Sequence, residues 1–580
     1  MVSLAVLMYT ASSAFLEALH DAGVSYVFAN FGSDHPGLLE ALAQAKESAA
    51  PAPKVITCPN EMVALACAQG YAQLTGRAQA VVVHVDCGTQ SLAGAVHNVS
   101  RCRVPVLIFA GASPYTQENE LRGTRNEFIH WLQDVFDQRG IVRPYMKYEN
   151  ELRTGRNIKQ MVHRALQFAY SDPKGPAYLM APREVMEEEI PRIEVDPARW
   201  TPIEPIALAA EGADEIAEEL RSARRPLAVT SYLGRNPNAV EELVRLARCT
   251  GMGVLESVAS SLNFPSDNPL YIGTQGNEPV QNPALAEADF VLVLDSDVPW
   301  IPSKNGPNPK ARIYHIDIDP LKENMPLWYI PAKRVFRADC ATALRQIHDR
   351  LGSGIDSELL HERTAYCTKL HSRRESQLQE REAEPAGGTI TAEYLTACVR
   401  RQIDRDTIVL NEGITNYSVI HNHIGATQPL RLFTTGASSL GWNGGAAIGM
   451  KLAAPDKTVV SLTGDGSYMF SQPSTVHWMA RHYETPFLQV IYNNRGWRAP
   501  KFSALAVHPD GFAAKSDDLG IAFDPPPDYS GIAAAAGGSF ARIVKQPSEL
   551  NSAIEEALDA VRHQRRAAVL DVWLAHLMKG

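Results

Sequence analysis

TGDGSYMF at residues 463–470 and FLQVIYNN at residues 487–494 frame the stretch whose reading decides the fold. Just before it, residues 458–462 (TVVSL) form a β-branched, aliphatic run that reads as a buried strand stopping at Gly464-Asp465-Gly466. Residues 473–482 repeat their apolar side chains at helical spacing. Residues 487–492 make a second apolar strand, which ends on Asn493-Asn494. Strand, acidic glycine turn, helix, strand, amide pair is the pattern of one βαβ crossover. Both strand ends then reach the same sheet edge, where open α/β sheets bind ligands.

The residue types at that edge specify a chemistry. Gly464 and Gly466 let backbone N–H groups approach an anion closely, and the helix start that follows adds its positive end. Asp465 and an asparagine side chain are hard oxygen donors, suited to a Mg²⁺ that keeps phosphate oxygens among its ligands. Gly-Asp-Gly alone most often marks a turn. The strand before each motif, with the 26 residues (467–492) between Gly466 and Asn493, makes the unit read as a Mg²⁺–diphosphate cradle.

GDG, a helix and a strand, then NN resembles the thiamine diphosphate (ThDP) motif of the family containing acetolactate synthase, pyruvate decarboxylase and benzoylformate decarboxylase. The resemblance implies that Asp465, Asn494 and the backbone carbonyl of Gly496 ligate Mg²⁺, and that Gly464, Gly466 and Ser467 contact the cofactor. The spacing is slightly longer than in many family members, and the extra length is assigned to the turn at 483–485.

Composition sets the outer bounds. A chain of 580 residues is too long for one core, and 45% apolar with 21% charged residues is that of a soluble globular protein. The formal net charge of −10 leaves no basic footprint, so nucleic acid is not an expected partner. The eight cysteines show no CxxC spacing, which suggests neither a zinc site nor a disulfide framework; reduced thiols in a cytoplasmic protein are the simple reading. Residues 2–8 are apolar but short and lack a basic n-region. No run reaches the roughly 18 apolar residues that span a bilayer, so no membrane partner is expected.

Taken in order, residues 10–190 alternate helices (11–22, 36–45, 60–74 closed by Gly76, 92–101) with strands (26–29, 55–58, 80–85, 106–110), a parallel α/β pattern. Residues 191–205 carry four prolines and read as a linker. A second α/β unit spans 206–350, with strands at 227–230, 290–294 and 313–318, a helix over 238–249, and the motif HIDIDP at 315–320. Residues 352–388 read as an exposed helical connector. Residues 389–577 hold the opening stretch, with a strand at 407–410. The expected fold is therefore α/β, three doubly wound parallel-sheet domains: 1–190, 206–350 and 389–577. The resemblance implies pyrimidine-binding, central and diphosphate-binding roles in that order.

Three constellations stand out beyond the cradle. Asn60 caps a helix with Glu61 in its first turn, an arrangement the helix dipole favours without any function. However, NEMVALACAQGYAQLTG (60–76) is similar to the family helix whose glutamate hydrogen-bonds N1′ of the aminopyrimidine, where the cofactor supplies the reactive carbanion. GASSLGWNGGAAIG (436–449) has small residues that permit close approach of backbone to a ligand or of a helix to the sheet. By resemblance, Leu440 props ThDP into its bent shape and the Ser438 carbonyl accepts from the 4′-amino group; the turn at 413–416 is a further diphosphate contact. FANFGSDHPGLLEAL (28–42) and VVHVDCGTQS (82–91) are similar to benzoylformate decarboxylase segments, which maps a substrate hydroxyl onto Ser33 and a proton-transfer imidazole onto His84. His35 is a second donor candidate, and Asp34 reads as a cap for the next helix.

The sequence also departs from its relatives. A proline, with Trp300 nearby, stands where benzoylformate decarboxylase has its second histidine, and the His-His pair of pyruvate decarboxylase is absent. Gln133 or His130 is the stand-in for a glutamine of acetolactate synthase. Residues 498–527 read as a substrate lid. Together these features imply a ThDP- and Mg²⁺-dependent enzyme acting on a small-molecule 2-oxo acid or 2-hydroxy ketone. An acetolactate-synthase-like carboligase is the first expectation, and a benzoylformate-type decarboxylase or 2-hydroxyacyl lyase the second. A non-catalytic ThDP-fold regulatory subunit is the alternative from another class. The resemblance further implies a homodimer or homotetramer with active sites at the subunit interface; flavin (FAD) in the central domain is left open.

Overall fold

The computed structural model describes residues 8–277, 281–352 and 354–578; most of the apolar 2–8 stretch lies outside them. Three six-stranded sheets carry the chain, and every strand pairing in them is parallel. The first holds β1 (Tyr26–Ala29), β2 (Lys54–Thr57), β3 (Ala80–Val83), β4 (Val106–Ala112), β5 (Tyr148–Glu151) and β6 (Pro176–Pro182), in the order β2-β1-β3-β4-β6-β5. The second holds β7 (Pro226–Thr230), β8 (Gly253–Ser257), β9 (Tyr271–Gln275), β10 (Phe290–Leu294), β11 (Arg312–Asp317) and β12 (Arg334–Arg337), ordered β12-β11-β10-β7-β8-β9. The third holds β13 (Ile408–Glu412), β14 (Leu432–Phe433), β15 (Val459–Gly464), β16 (Leu488–Asn493), β17 (Phe540–Val544) and β18 (Ala568–Trp573), ordered β14-β13-β15-β16-β18-β17.

The first and third sheets thus share one strand order, although their sequences show no residue-level repeat. In that order the chain reverses direction across the sheet between β1 and β3, and between β13 and β15. These are the switch points where carboxyl-end loops part and a ligand can enter. The strands read as continuous apolar runs because helices cover both faces: β3, β4, β7, β10 and β16 are buried throughout.

The chain divides into two compact units. One collects Met1–Glu204, Ala437–Asp456 and Met469–Thr485; the other collects Pro205–Gly436, Lys457–Tyr468 and Pro486–Gly580. In the first unit, the glycine-rich helix Trp442–Ala453 packs on the helix Glu61–Thr75. A Cβ on Gly449 would lie 2.0 Å from the Cys67 carbonyl oxygen, and one on Gly70 would lie 2.4 Å from that of Ala446. Gly445 is equally confined, 2.7 Å from Ala66 Cβ. Backbones this close leave no room for a side chain, which explains the small residues at 444–449.

Several local expectations are corrected. Asp465 opens a short helix, Asp465–Phe470, where a turn was expected. A helix, Val85–Ser91, follows His84 in place of a small-residue loop, and the next helix begins only at Ala95. Residues 498–527 contain helices Arg498–Val507 and Phe512–Lys515. The connector is the helix Ser357–Arg381, but it is not wholly exposed. Arg363 is buried and donates to the carbonyls of Thr250 and Leu220, at the ends of two central-domain helices. Trp300 is buried in the core of the central sheet.

Candidate active site

At the carboxyl edge of the first sheet, the loops after β1, β2 and β3 bring together the residues singled out in the N-terminal third. Asn60 caps the helix Glu61–Thr75, its side chain accepting from the Val63 N–H at 3.1 Å. That places Glu61 in the first turn, 8% exposed, with Oε1 accepting from Asn30 Nδ2 at 2.9 Å. Asn30 follows β1 directly and was not anticipated; a strand-end amide is its only sequence signal.

Asp34 is not the cap of the helix Pro36–Ser48, whose cap position is His35 and has no side-chain cap bond. Its carboxylate turns inward instead, hydrogen-bonding His84 Nδ1 through Oδ1 and accepting the Val85 N–H through Oδ2 at 3.0 Å. It thereby satisfies an orphan N–H at the start of the Val85–Ser91 helix from 51 residues away. The far nitrogen of the same ring, His84 Nε2, meets Gln133 Oε1 at 2.9 Å. The hydrogen bond to Asp34 raises the His84 pKa, against partial burial, and the Asp34 charge and Gln133 add to the rise. Burial alone would push Asp34 upward; the charge of His35, the hydrogen bond and charge of His84 and the Val85 N–H outweigh it and hold the carboxyl low. The two groups therefore form an ion pair.

Ser33 is half-buried, with Oγ 3.5 Å from His130 Nε2. His130 is itself buried, and burial together with the Arg183 guanidinium, 3.2 Å away, lowers its pKa, so it is a neutral partner. His35 is also buried and held low by burial, its Nδ1 accepting the Gly32 N–H at 3.1 Å. It packs edge-on against Phe31. Leu440 is half-buried and Ser438 exposed in the loop that enters the helix Trp442–Ala453.

The second unit carries the cradle at the β13/β15 switch point. Asp465 is 2% exposed, and its carboxylate accepts only backbone N–H groups: Gly466 at 2.8 Å and Gly496 at 2.9 Å. Burial raises its pKa to about 6 against those bonds. Of the amide pair, Asn493 is spent on the fold, donating to Asp571 at 2.7 Å and accepting from the Arg495 N–H. Asn494 is buried, and its Oδ1 has no hydrogen-bond partner among the described residues; Ser467 Oγ is likewise buried and unpartnered. A Cβ on Gly464 would meet nothing closer than the Gly413 carbonyl at 3.9 Å, so open space lies over that backbone. Gly466, by contrast, is needed to admit Trp497, which a Cβ there would approach to 2.1 Å. Gly496 has φ +145°, a conformation closed to other residues.

Orphaned buried oxygens are rare in folded proteins, and each calls for a partner. Here a carboxylate that has no ion-pair partner among the described residues, an amide oxygen and a hydroxyl lie about one glycine turn. That donor set fits a Mg²⁺ holding phosphate oxygens. No cluster of three His, Cys, Asp or Glu side chains suited to a metal occurs among the described residues, so an all-protein cage is not the alternative. All eight cysteines are free thiols, and among the described residues no helix is long and apolar enough to cross a membrane.

Comparison with known proteins agrees with this geometry. Residues 9–141, 213–347 and 413–572 match, in turn, the N-terminal TPP binding domain, the central domain and the C-terminal TPP binding domain of the thiamine pyrophosphate enzymes. The chain is 24% identical to the sulfoacetaldehyde acetyltransferase of Castellaniella defragrans over 97% of its own length and 93% of that protein. It is 24% identical to the benzoylformate decarboxylase of Pseudomonas aeruginosa over 96% of its length and 98% of that protein. Among solved structures, the thiamine diphosphate-dependent 4-hydroxybenzoylformate decarboxylase of Rhodococcus jostii RHA1 superposes with a TM-score of 0.79 at 21% identity, covering 98% of this chain and 99% of that one. At that identity the superposition speaks for the fold.

Proposed function

Because the chain belongs to the thiamine pyrophosphate enzymes, we propose that it is a ThDP- and Mg²⁺-dependent decarboxylase of a 2-oxo acid in which His84 delivers the proton that completes the product. Bound ThDP supplies the carbanion nucleophile and the electron sink for loss of CO₂. Everything else falls to the protein. Asp465, Asn494 and the Gly496 carbonyl would hold the metal, with Gly464, Gly466 and Ser467 against the diphosphate. Glu61 would hold one proton on the aminopyrimidine ring, and Leu440 and Ser438 would shape and orient it. The observation that carries the reading is the ion-paired His84 at the sheet edge that also bears Glu61 and Ser33. A charged imidazole there can donate from Nε2, and the Ser33 hydroxyl can donate to a substrate carboxylate.

An acetolactate-synthase-like carboligase, the first expectation from the sequence, becomes the second reading, favoured by Gln133 at 2.9 Å from His84 Nε2. HIDIDP no longer supports it. Asp317 of that motif is buried, accepting from Tyr232 Oη at 2.6 Å and Lys322 Nζ at 2.6 Å, and serves the central sheet. A visible absorbance scan of purified protein tests for flavin in the central domain. A regulatory subunit would not need Glu61 and the GDG–NN pair, which this chain retains. By analogy with the family, the cofactor lies between Glu61 of one subunit and Asp465 of another, in a cytoplasmic homodimer or homotetramer. An active monomer in light scattering would contradict that arrangement.

A panel of aliphatic and aryl 2-oxo acids, assayed with ThDP and Mg²⁺, tests the whole. Released aldehyde supports decarboxylation, a condensed hydroxy ketone supports carboligation, and no turnover of any acid sinks both.

A further inference from the structure

Asp34 is buried, its side chain 1% exposed; one carboxylate oxygen is directed at the partly open ring of His84, itself 18% exposed, and the other accepts the Val85 N–H. Two separate elements are hollowed to admit this pair. On the β1 loop, a Cβ on Gly32 would fall 2.1 Å from His84 Nδ1 and 2.7 Å from Asp34 Oδ1. On β4, a Cβ on Gly111 would fall 1.6 Å from Asp34 Oδ2. Neither glycine has a positive φ, so backbone conformation does not require them; the space does. The far side of the ring is left to Gln133, half-buried and uncharged, whose other amide end points to the Cys87 thiol at 3.8 Å.

We propose that Asp34 is a positioning residue: its buried carboxylate fixes the His84 ring through Nδ1 and reserves Nε2 as the atom that meets substrate, with Gln133 holding that atom between turnovers. This rests on the reading of His84 as proton donor given above. A carboxylate on one imidazole nitrogen sets the ring's orientation and makes the other nitrogen the working one. The charged groups facing the ring act in one direction. Asp34 from the β1 loop and Asp86 on the ring's own helix both favour the imidazolium. His35, at the head of the next helix, has its own pKa lowered, chiefly by burial.

Asp34→Asn keeps the volume and removes the charge. In the holoenzyme with ThDP and Mg²⁺, kcat should fall about 10- to 100-fold, less than the ~10²–10⁴ that proton transfer itself carries, while KM and ThDP affinity stay near wild type. Placed in a His84→Gln background, the same change should cost nothing further; losses that multiply would overturn the proposal. The second readout needs no substrate. In histidine-labelled protein followed by NMR, the wild-type resonance that His84→Gln removes should titrate above 6.5, the ordinary imidazole value, and Asp34→Asn should bring it down. Titration at or below that value in the wild type overturns the proposal even if Asp34→Asn does not fold. A raised titration in a chain that turns over no 2-oxo acid would keep the pair and sink the reaction.

Discussion

The first and third sheets have the same strand order, and each buries an aspartate at its switch point, yet the two carboxylates are treated differently. Asp34 is matched from within the chain, by an imidazole and a backbone N–H. Asp465 receives only backbone N–H groups, beside an amide oxygen and a hydroxyl that have no partner. Burial acts on both; it is overcome at Asp34 and prevails at Asp465. The difference separates a polar group that tunes a neighbour from one that awaits a ligand.

The sharpest way to break this comparison is to remove each acid. Asp465→Ala should weaken ThDP binding, in calorimetry with Mg²⁺ present, by more than the ~10–100-fold typical of outer-shell changes. The same titration on Asp34→Asn should stay near wild type; equal losses would show that both carboxylates serve the cofactor. Glu61→Gln comes next. Turnover should drop ~10²–10⁴-fold with ThDP still bound, and full activity would remove the pyrimidine side from the mechanism. A smaller effect tests the scaffold beneath Glu61. Gly449→Ala forces a methyl against the Cys67 carbonyl and should cost about 1–3 kcal/mol in denaturant melts, whereas Gly464→Ala, which meets open space, should change stability little.

The smallest effect is in pH. His84 is raised above 6.5, so its stabilising contribution is full below that value and is lost as pH rises through the folded value. Asp34 is lowered below 3.8, so its contribution is full above that value and is lost as pH falls through the folded value. The Tm gap between wild type and Asp34→Asn should therefore be widest between 3.8 and 6.5 and should close in alkali. A gap independent of pH would mean that Asp34 contributes only the Val85 hydrogen bond.

Local patterning made much of this legible from sequence. The strands Tyr26–Ala29 and Phe290–Leu294 and the helix Pro473–His482 were all readable from periodicity and punctuation, because each is decided by its own side chains. The cradle was legible because GDG and NN each close a strand. What escaped depends on contacts distant in sequence. Asp34 looks like a local cap until β3 brings His84 beside it, and Gln133 reaches the same ring from a loop with no regular pattern. The small residues at 436–449 suggested close approach to a ligand or of a helix to the sheet, since nothing local reveals that Gly445 and Gly449 meet the Glu61–Thr75 helix and Gly444 meets Val476.

That seam of touching backbones has a practical corollary. A fragment ending at Glu204 would keep all of the first sheet but lose the Trp442–Ala453 helix, uncovering Val63, Ala66, Cys67 and Gly70 to water. The N-terminal third is therefore not a detachable module: expressed alone, it should be sticky and poorly folded, and resupplying residues 437–485 in trans should rescue it.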